Sequence, residues 1–130
     1  MKTSTKVFVS VVLLAVVALI GFRMTGNVVA DSGIYDEFAQ CLTDKDVKMY
    51  GAYWCPHCQE QKKLFGGSWD KVDYVECSLP NRAGQTQICI REKINSYPTW
   101  EFSDGSRVSG KLSMQDLSLK TGCALPSLES

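Results

Sequence analysis

The chain is poor in the residues that would define most other functional classes. It has one histidine, His57, so no Cys/His cluster can be assembled from histidine pairs. Lys and Arg number 14 and Asp and Glu number 14, which leaves no basic surplus for binding nucleic acid. No internal repeat and no low-complexity tract is visible, so solenoid and tail-like architectures are set aside. Its 130 residues suffice for one small domain with appendages. Cysteine is what the chain does have, six in all: Cys41, Cys55, Cys58, Cys77, Cys89 and Cys123.

Four cysteines beyond a reactive pair would be unusual in a reducing cytosol, whereas outside it they become staples. The alternative is a set of buried free thiols acting as small hydrophobes. The N-terminus favours export. Lys2 and Lys6 precede an uncharged apolar run over residues 7–22. Its length is short for a spanning helix, which needs roughly 17–25 residues, and slightly long for a cleaved-signal core of roughly 7–15. Val28-Val29-Ala30 offers a cleavage site, although Arg23 lies between the run and that site. The expectation is a signal-anchor, giving a single-pass protein in the cell membrane with its domain on the extracytoplasmic side. Cleavage after Ala30 would instead make it secreted or periplasmic. Residues 1–30 are therefore read as anchor or signal plus linker, 31–125 as the domain and 126–130 as a tail.

Along the domain, Asp31 or Ser32 can cap a helix to about Cys41, with Ile34, Phe38 and Cys41/Leu42 on one face. Val47 to Tyr53 reads as a central strand and Cys55 to Phe65 as a helix ended by Gly66-Gly67. Val72 to Cys77 alternates as a strand. Leu79 to Gly84 is a loop, and Gln85 to about Ile94 a helix. Thr99 to Phe102 and Arg107 to Ser109 form a hairpin about Asp104-Gly105. Ser113 caps a last helix that Gly122 stops, and Ala124 to Ser130 reads as a frayed tail. The crossover helix makes the first two strands parallel. The expected fold is α/β, a mixed four-stranded sheet flanked by helices.

Tyr53-Trp54-Cys55-Pro56-His57-Cys58 carries the chemistry. A thiolate attacks a disulfide, and the unpaired N–H groups and dipole at a helix start favour negative charge on Cys55. Cys58 lies one turn on and can attack a mixed disulfide formed at Cys55. Pro56 suits the first helical turn. Trp54 can shield the sulfurs. His57 can donate to a thiolate and add charge, which favours the reduced pair and makes the disulfide more oxidising; the alternative is an exposed histidine without a role. A zinc site would need a second nearby Cys or His pair, and haem attachment a histidine where Gln59 stands. No metal and no bound cofactor is expected. Three pairings of Cys41, Cys77, Cys89 and Cys123 are open; Cys77–Cys89 would close a loop of about a dozen residues and leave Cys41 with Cys123. These are read as structural disulfides, with a Cys77–Cys89 electron relay as the alternative.

An X–Pro bond is cis in only about 5–6% of cases, so Pro98 by itself would be trans. Its place after the Cys-Pro-His-Cys helix and before a hairpin resembles the thioredoxin-like superfamily. Cys-Pro-His-Cys is the choice of oxidising Dsb-type proteins. Lys48 to Cys58, Tyr74-Val75-Glu76-Cys77 and Ser96 to Trp100 are similar to the thioredoxin-like domain associated with bacterial and archaeal vitamin K epoxide reductase homologues, over about Gly33 to Cys123. The resemblance implies a cis Pro98 beside the redox cysteines, a Tyr97 backbone that binds a substrate segment as an added strand, and neighbouring first and last helices. It further implies a protein thiol–disulfide oxidoreductase acting on thiols and disulfides of exported proteins. A membrane quinone reductase of the vitamin K epoxide reductase type, on a separate chain, would reoxidise it. A disulfide reductase or isomerase, or a non-catalytic soft-metal-binding module, are the alternatives. Met49 stands where thioredoxins carry a buried acid, which leaves water or Glu60 as acceptors for the Cys58 proton.

Overall fold

The computed structural model describes residues 33–127, together with Val9, Val11, Val12 and Leu14, which are helical. The expected anchor over residues 7–22 otherwise lies outside the described residues, as do the Asp31 and Ser32 caps and the end of the tail. Among the described residues no helix is long and apolar enough to cross a membrane.

Helix α1 (Asp36–Asp44) begins later than its expected cap. Asp36 N–H donates to Gly33 O at 2.9 Å, so residues 33–36 close a turn first. Ile34 belongs to that turn and is exposed rather than on the buried face. Asp36 and Glu37 in the first turn suit the positive end of the helix, and Phe38, Ala39 and Leu42 are buried.

Strand β1 (Lys48–Gly51) pairs in parallel with β2 (Asp73–Glu76) and antiparallel with β3 (Thr99–Glu101), which pairs antiparallel with β4 (Arg107–Ser109). The sheet order β2-β1-β3-β4 puts β1 inside, in keeping with a segment that is apolar nearly throughout apart from Lys48. Between β1 and β2 run α2 (Pro56–Phe65) and a 3-10 turn (Gly66–Lys71). A 3-10 turn (Pro80–Arg82) and the short α3 (Gln87–Arg91) link β2 to β3. α4 (Met114–Thr121) closes the domain. Ser113 Oγ caps it by accepting from Asp116 N–H at 3.0 Å, and Gly122 ends it at φ 71°, a conformation costly for any residue with a Cβ.

Successive residues of a strand face opposite sides. Met49 and Trp100 enter one cluster with Phe38, Leu42, Phe65 and Leu117, while Tyr50 enters another with Cys77, Cys89 and Ile94. Within the larger cluster the Phe65 ring lies 6.2 Å from Phe38, 5.8 Å from Trp69 and 6.3 Å from Trp100, centroid to centroid. Gln61 is wholly buried there. Its amide donates to Leu112 O at 3.0 Å and accepts from Leu112 N–H at 2.8 Å, which ties α2 to the segment after β4. Leu125 packs against the same cluster, so the chain past α4 is held to the domain at that point.

Candidate redox site

The site is built where β1 runs out. After Gly51 the chain turns back, with Cys55 N–H donating to Ala52 O at 3.0 Å. Cys55 is the extended N-cap of α2, and Pro56 follows where the helix has no use for its missing N–H. Cys58 sits one turn on. Cys55 is 6% exposed and Cys58 0%, and these two are the free cysteines. The remaining four are bonded as Cys41–Cys123 and Cys77–Cys89, with Cα separations of 5.9 and 5.5 Å.

Burial pushes the Cys58 thiol up to about 12; a backbone hydrogen bond from Ala52 opposes this, the contact with Cys55 adds to it, and the Lys62 charge opposes it more weakly. Cys58 is therefore a protonated thiol at neutral pH. Tyr97–Pro98 is cis, Pro98 is fully buried, and Cys55 Sγ lies 3.6 Å from Tyr97 O. Trp54 flanks the pair: its indole N–H donates to Ser78 Oγ at 2.8 Å and its ring meets Tyr97 edge-on at 6.1 Å. The Tyr97 hydroxyl accepts from the Gln85 amide at 2.8 Å. Cys55, Cys58, Trp54, Tyr97 and Pro98 thus come together.

His57 does not join them. Its ring is two-thirds exposed and Nδ1 faces Glu60 Oε2 at 3.6 Å rather than a sulfur. Glu60 is bound by Lys111 at 2.8 Å, and that ammonium holds its carboxyl below the usual range. A carboxylate so engaged at the surface is a poor acceptor for a proton from buried Cys58. One residue that spacing did not single out, Tyr74, approaches Cys58, and it is hydrogen-bonded to a second, Glu76. Tyr74 and Glu76, two apart on β2 and so on one face, form a phenol-to-carboxylate hydrogen bond of 2.8 Å. Burial and then Glu76 raise the Tyr74 phenol well above its ordinary value, with Cys58 and Cys55 adding to the effect. The sequence signal was an acidic residue alternating with an aromatic one on a half-buried strand. Among the described residues no three His, Cys, Asp or Glu side chains gather as metal ligands.

This arrangement fits a thioredoxin-like fold. No protein-family model matches the chain. It is 38% identical over 91 residues to the thiol-disulfide oxidoreductase LTO1 of Arabidopsis thaliana, a match covering 67% of this chain and 24% of that protein. The chain thus spans about a quarter of the length of this curated relative. Fold and likeness together support a thioredoxin-like redox family.

Proposed function

We propose that the chain is a thiol–disulfide oxidoreductase that oxidises thiols of exported proteins through Cys55 and Cys58. The observation that carries this is the pair itself: two unbonded sulfurs one turn apart at a helix start, in a chain whose other four cysteines are bonded. A substrate thiolate attacks Cys55 Sγ of the oxidised pair. The S–S bond breaks, and Cys58 leaves with the electron pair and takes up a proton. A second substrate thiolate then attacks the mixed disulfide at the substrate sulfur, which releases oxidised substrate and the Cys55 thiolate. Two electrons have passed to the pair. A membrane quinone reductase of the vitamin K epoxide reductase type returns the pair to the disulfide by passing them to quinone. The domain works on the extracytoplasmic side of the membrane, tethered through residues 7–22 or released by cleavage after Ala30. Trp54 shields the sulfurs, and the Tyr97 backbone beside Pro98 receives the substrate strand, with Tyr97 O already turned to Cys55.

His57 facing Glu60 keeps the reverse reading, a reductase or isomerase, in play, because the group that would favour the thiolate is turned away. The test is oxidation of a reduced, unfolded protein, with Cys55→Ser as the comparison. Turnover that vanishes in the variant supports the proposal; an unchanged rate overturns it. The equilibrium potential against glutathione decides direction. A value well above thioredoxin's, about −270 mV, supports oxidation, and one at or below it supports reduction.

A further inference from the structure

Closing the Cys55–Cys58 disulfide requires Cys58 to lose a proton that its burial makes hard to lose. The strand beneath it supplies no acid, since Met49 on β1 is fully buried and apolar. Glu60 is held at the surface by Lys111. Besides the Ala52 backbone and Cys55, which already contact the Cys58 sulfur, the polar side chain that converges on it comes from β2. A Cβ placed on Gly51 would lie 2.9 Å from Cys58 Sγ, 2.9 Å from Tyr74 Cε2 and 3.2 Å from Tyr74 Oη. The sulfur and the phenol therefore converge on one spot, left open only because residue 51 has no side chain. From there the phenol donates to Glu76 Oε2 at 2.8 Å. The other carboxylate oxygen, Oε1, accepts from Ser78 N–H at 2.8 Å and Tyr53 N–H at 3.2 Å, so Glu76 is anchored and aimed. Lys62 Nζ lies 4.1 Å from the centre of the Tyr74 ring, a cation whose charge favours a thiolate at Cys58.

We propose that Tyr74 and Glu76 form a relay that takes the proton from Cys58 as it closes the disulfide. The inference rests on the exchange chemistry proposed above. In the step, Cys58 S–H passes its proton to Tyr74 Oη as the phenol passes its own to Glu76 Oε2. The phenol is restored, the carboxylate becomes a carboxylic acid, and Cys58 is left as a thiolate. That thiolate attacks Cys55 Sγ of a mixed disulfide. The Cys55–Cys58 bond forms and the partner sulfur departs with the electron pair. Tyr74 stays protonated on average because burial and Glu76 oppose a phenolate; it conducts the proton and does not store it. The charged and titratable groups around the route are Cys55 and Lys62 from the α2 side and Glu76 on β2 itself.

The test uses the full chain, reduced and mixed with oxidised glutathione, with samples quenched and resolved by mass. Formation of the Cys55–glutathione adduct and its closure by Cys58 are read as separate rates. Tyr74→Phe keeps the ring and removes the hydroxyl. Glu76→Gln keeps an oxygen for Tyr53 and Ser78 N–H and removes the base. Both variants are expected to form the adduct at the parental rate and to close it about a hundredfold more slowly at neutral pH, the scale of general-base catalysis. The deficit should shrink as pH rises, because hydroxide replaces the relay. Closure at the parental rate in both variants would sink the relay, and so would slow closure that alkaline pH does not restore, since that would mark a structural role. A parent chain that forms no adduct would instead overturn the exchange chemistry, and the relay with it.

Discussion

Cys77 and Cys89 lie beyond the end of β2 and in α3, wholly buried and bonded to each other, whereas Cys55 and Cys58 at the start of α2 are almost as deeply sunk and remain free. Burial does not separate the two pairs. Their surroundings do. Cys77–Cys89 sits in an apolar cluster with Tyr50 and Ile94, and Val75 and Tyr97 pack against it. Cys55 caps a helix, retains a sliver of exposure, and lies against the Tyr97 carbonyl, while Cys58 and Tyr74 converge on the space beside Gly51. Cys55 is set apart by its cap position, an approach for a partner and a destination for its neighbour's proton, whereas Cys89, though also in the first turn of its helix, is sealed with Cys77 in an apolar cluster.

Removing the staples should have the largest effect on stability. The Cys41–Cys123 bridge spans 82 residues, so Cys41→Ala with Cys123→Ala should cost about 4 kcal/mol by the chain-entropy model, read by urea unfolding. The Cys77–Cys89 bridge spans 12, and its double variant should cost about 3 kcal/mol. In both, the Cys55–Cys58 pair should still exchange with glutathione; loss of exchange in the second would show that Cys77–Cys89 takes part. Graded reduction with thiol labelling sharpens this contrast, since Cys55 and Cys58 should open well before the other four. Gln61→Leu removes the amide that serves both Leu112 backbone groups and should cost about 2 kcal/mol through the polar groups left unpaired. The last effect is absent at neutral pH. The Cys58 thiol is raised by folding from about 9 to about 12, so the reduced chain binds this proton more tightly than its unfolded form does. That contribution is complete below about pH 9 and is lost as pH climbs through 12. Relative to the oxidised chain, the melting temperature of the reduced chain should fall over that window. A constant difference would mean that Cys58 is not buried as a thiol.

Much of the fold could be read locally. A nearly continuous apolar run marked β1 and alternation marked β2, Asp104-Gly105 marked the hairpin, and Ser113 with Gly122 bounded α4 within a residue. The misjudged segments are those where distant contacts intervene. Helix α3 covers Gln87–Arg91 rather than Gln85 to Ile94. Lys93 takes φ 54°, Ile94 N–H returns to Cys89 O at 2.9 Å, and Gln85 is drawn off to Ile94 O at 2.7 Å and to the Tyr97 hydroxyl. None of those partners is visible to a helical period. His57 illustrates the same limit at the site: its place between two cysteines suggested a contact with a thiolate, yet on a helix the residue three positions on is its neighbour, and that is Glu60.

The order of residues alone determined the two-sulfur motif one helical turn apart, the proline ahead of the third strand, and the strand and helix succession, because these depend on spacing and on local backbone preference. The disulfide pairs favoured from spacing are the ones that form, whereas the approach of Tyr74, with Glu76 bound to it, to Cys58 across Gly51 was decided only when β2 was laid in parallel beside β1, with Gly51 opposite Glu76. Pairing in a sheet brings together residues about 25 apart in the chain, and neither a period nor a motif encodes that distance.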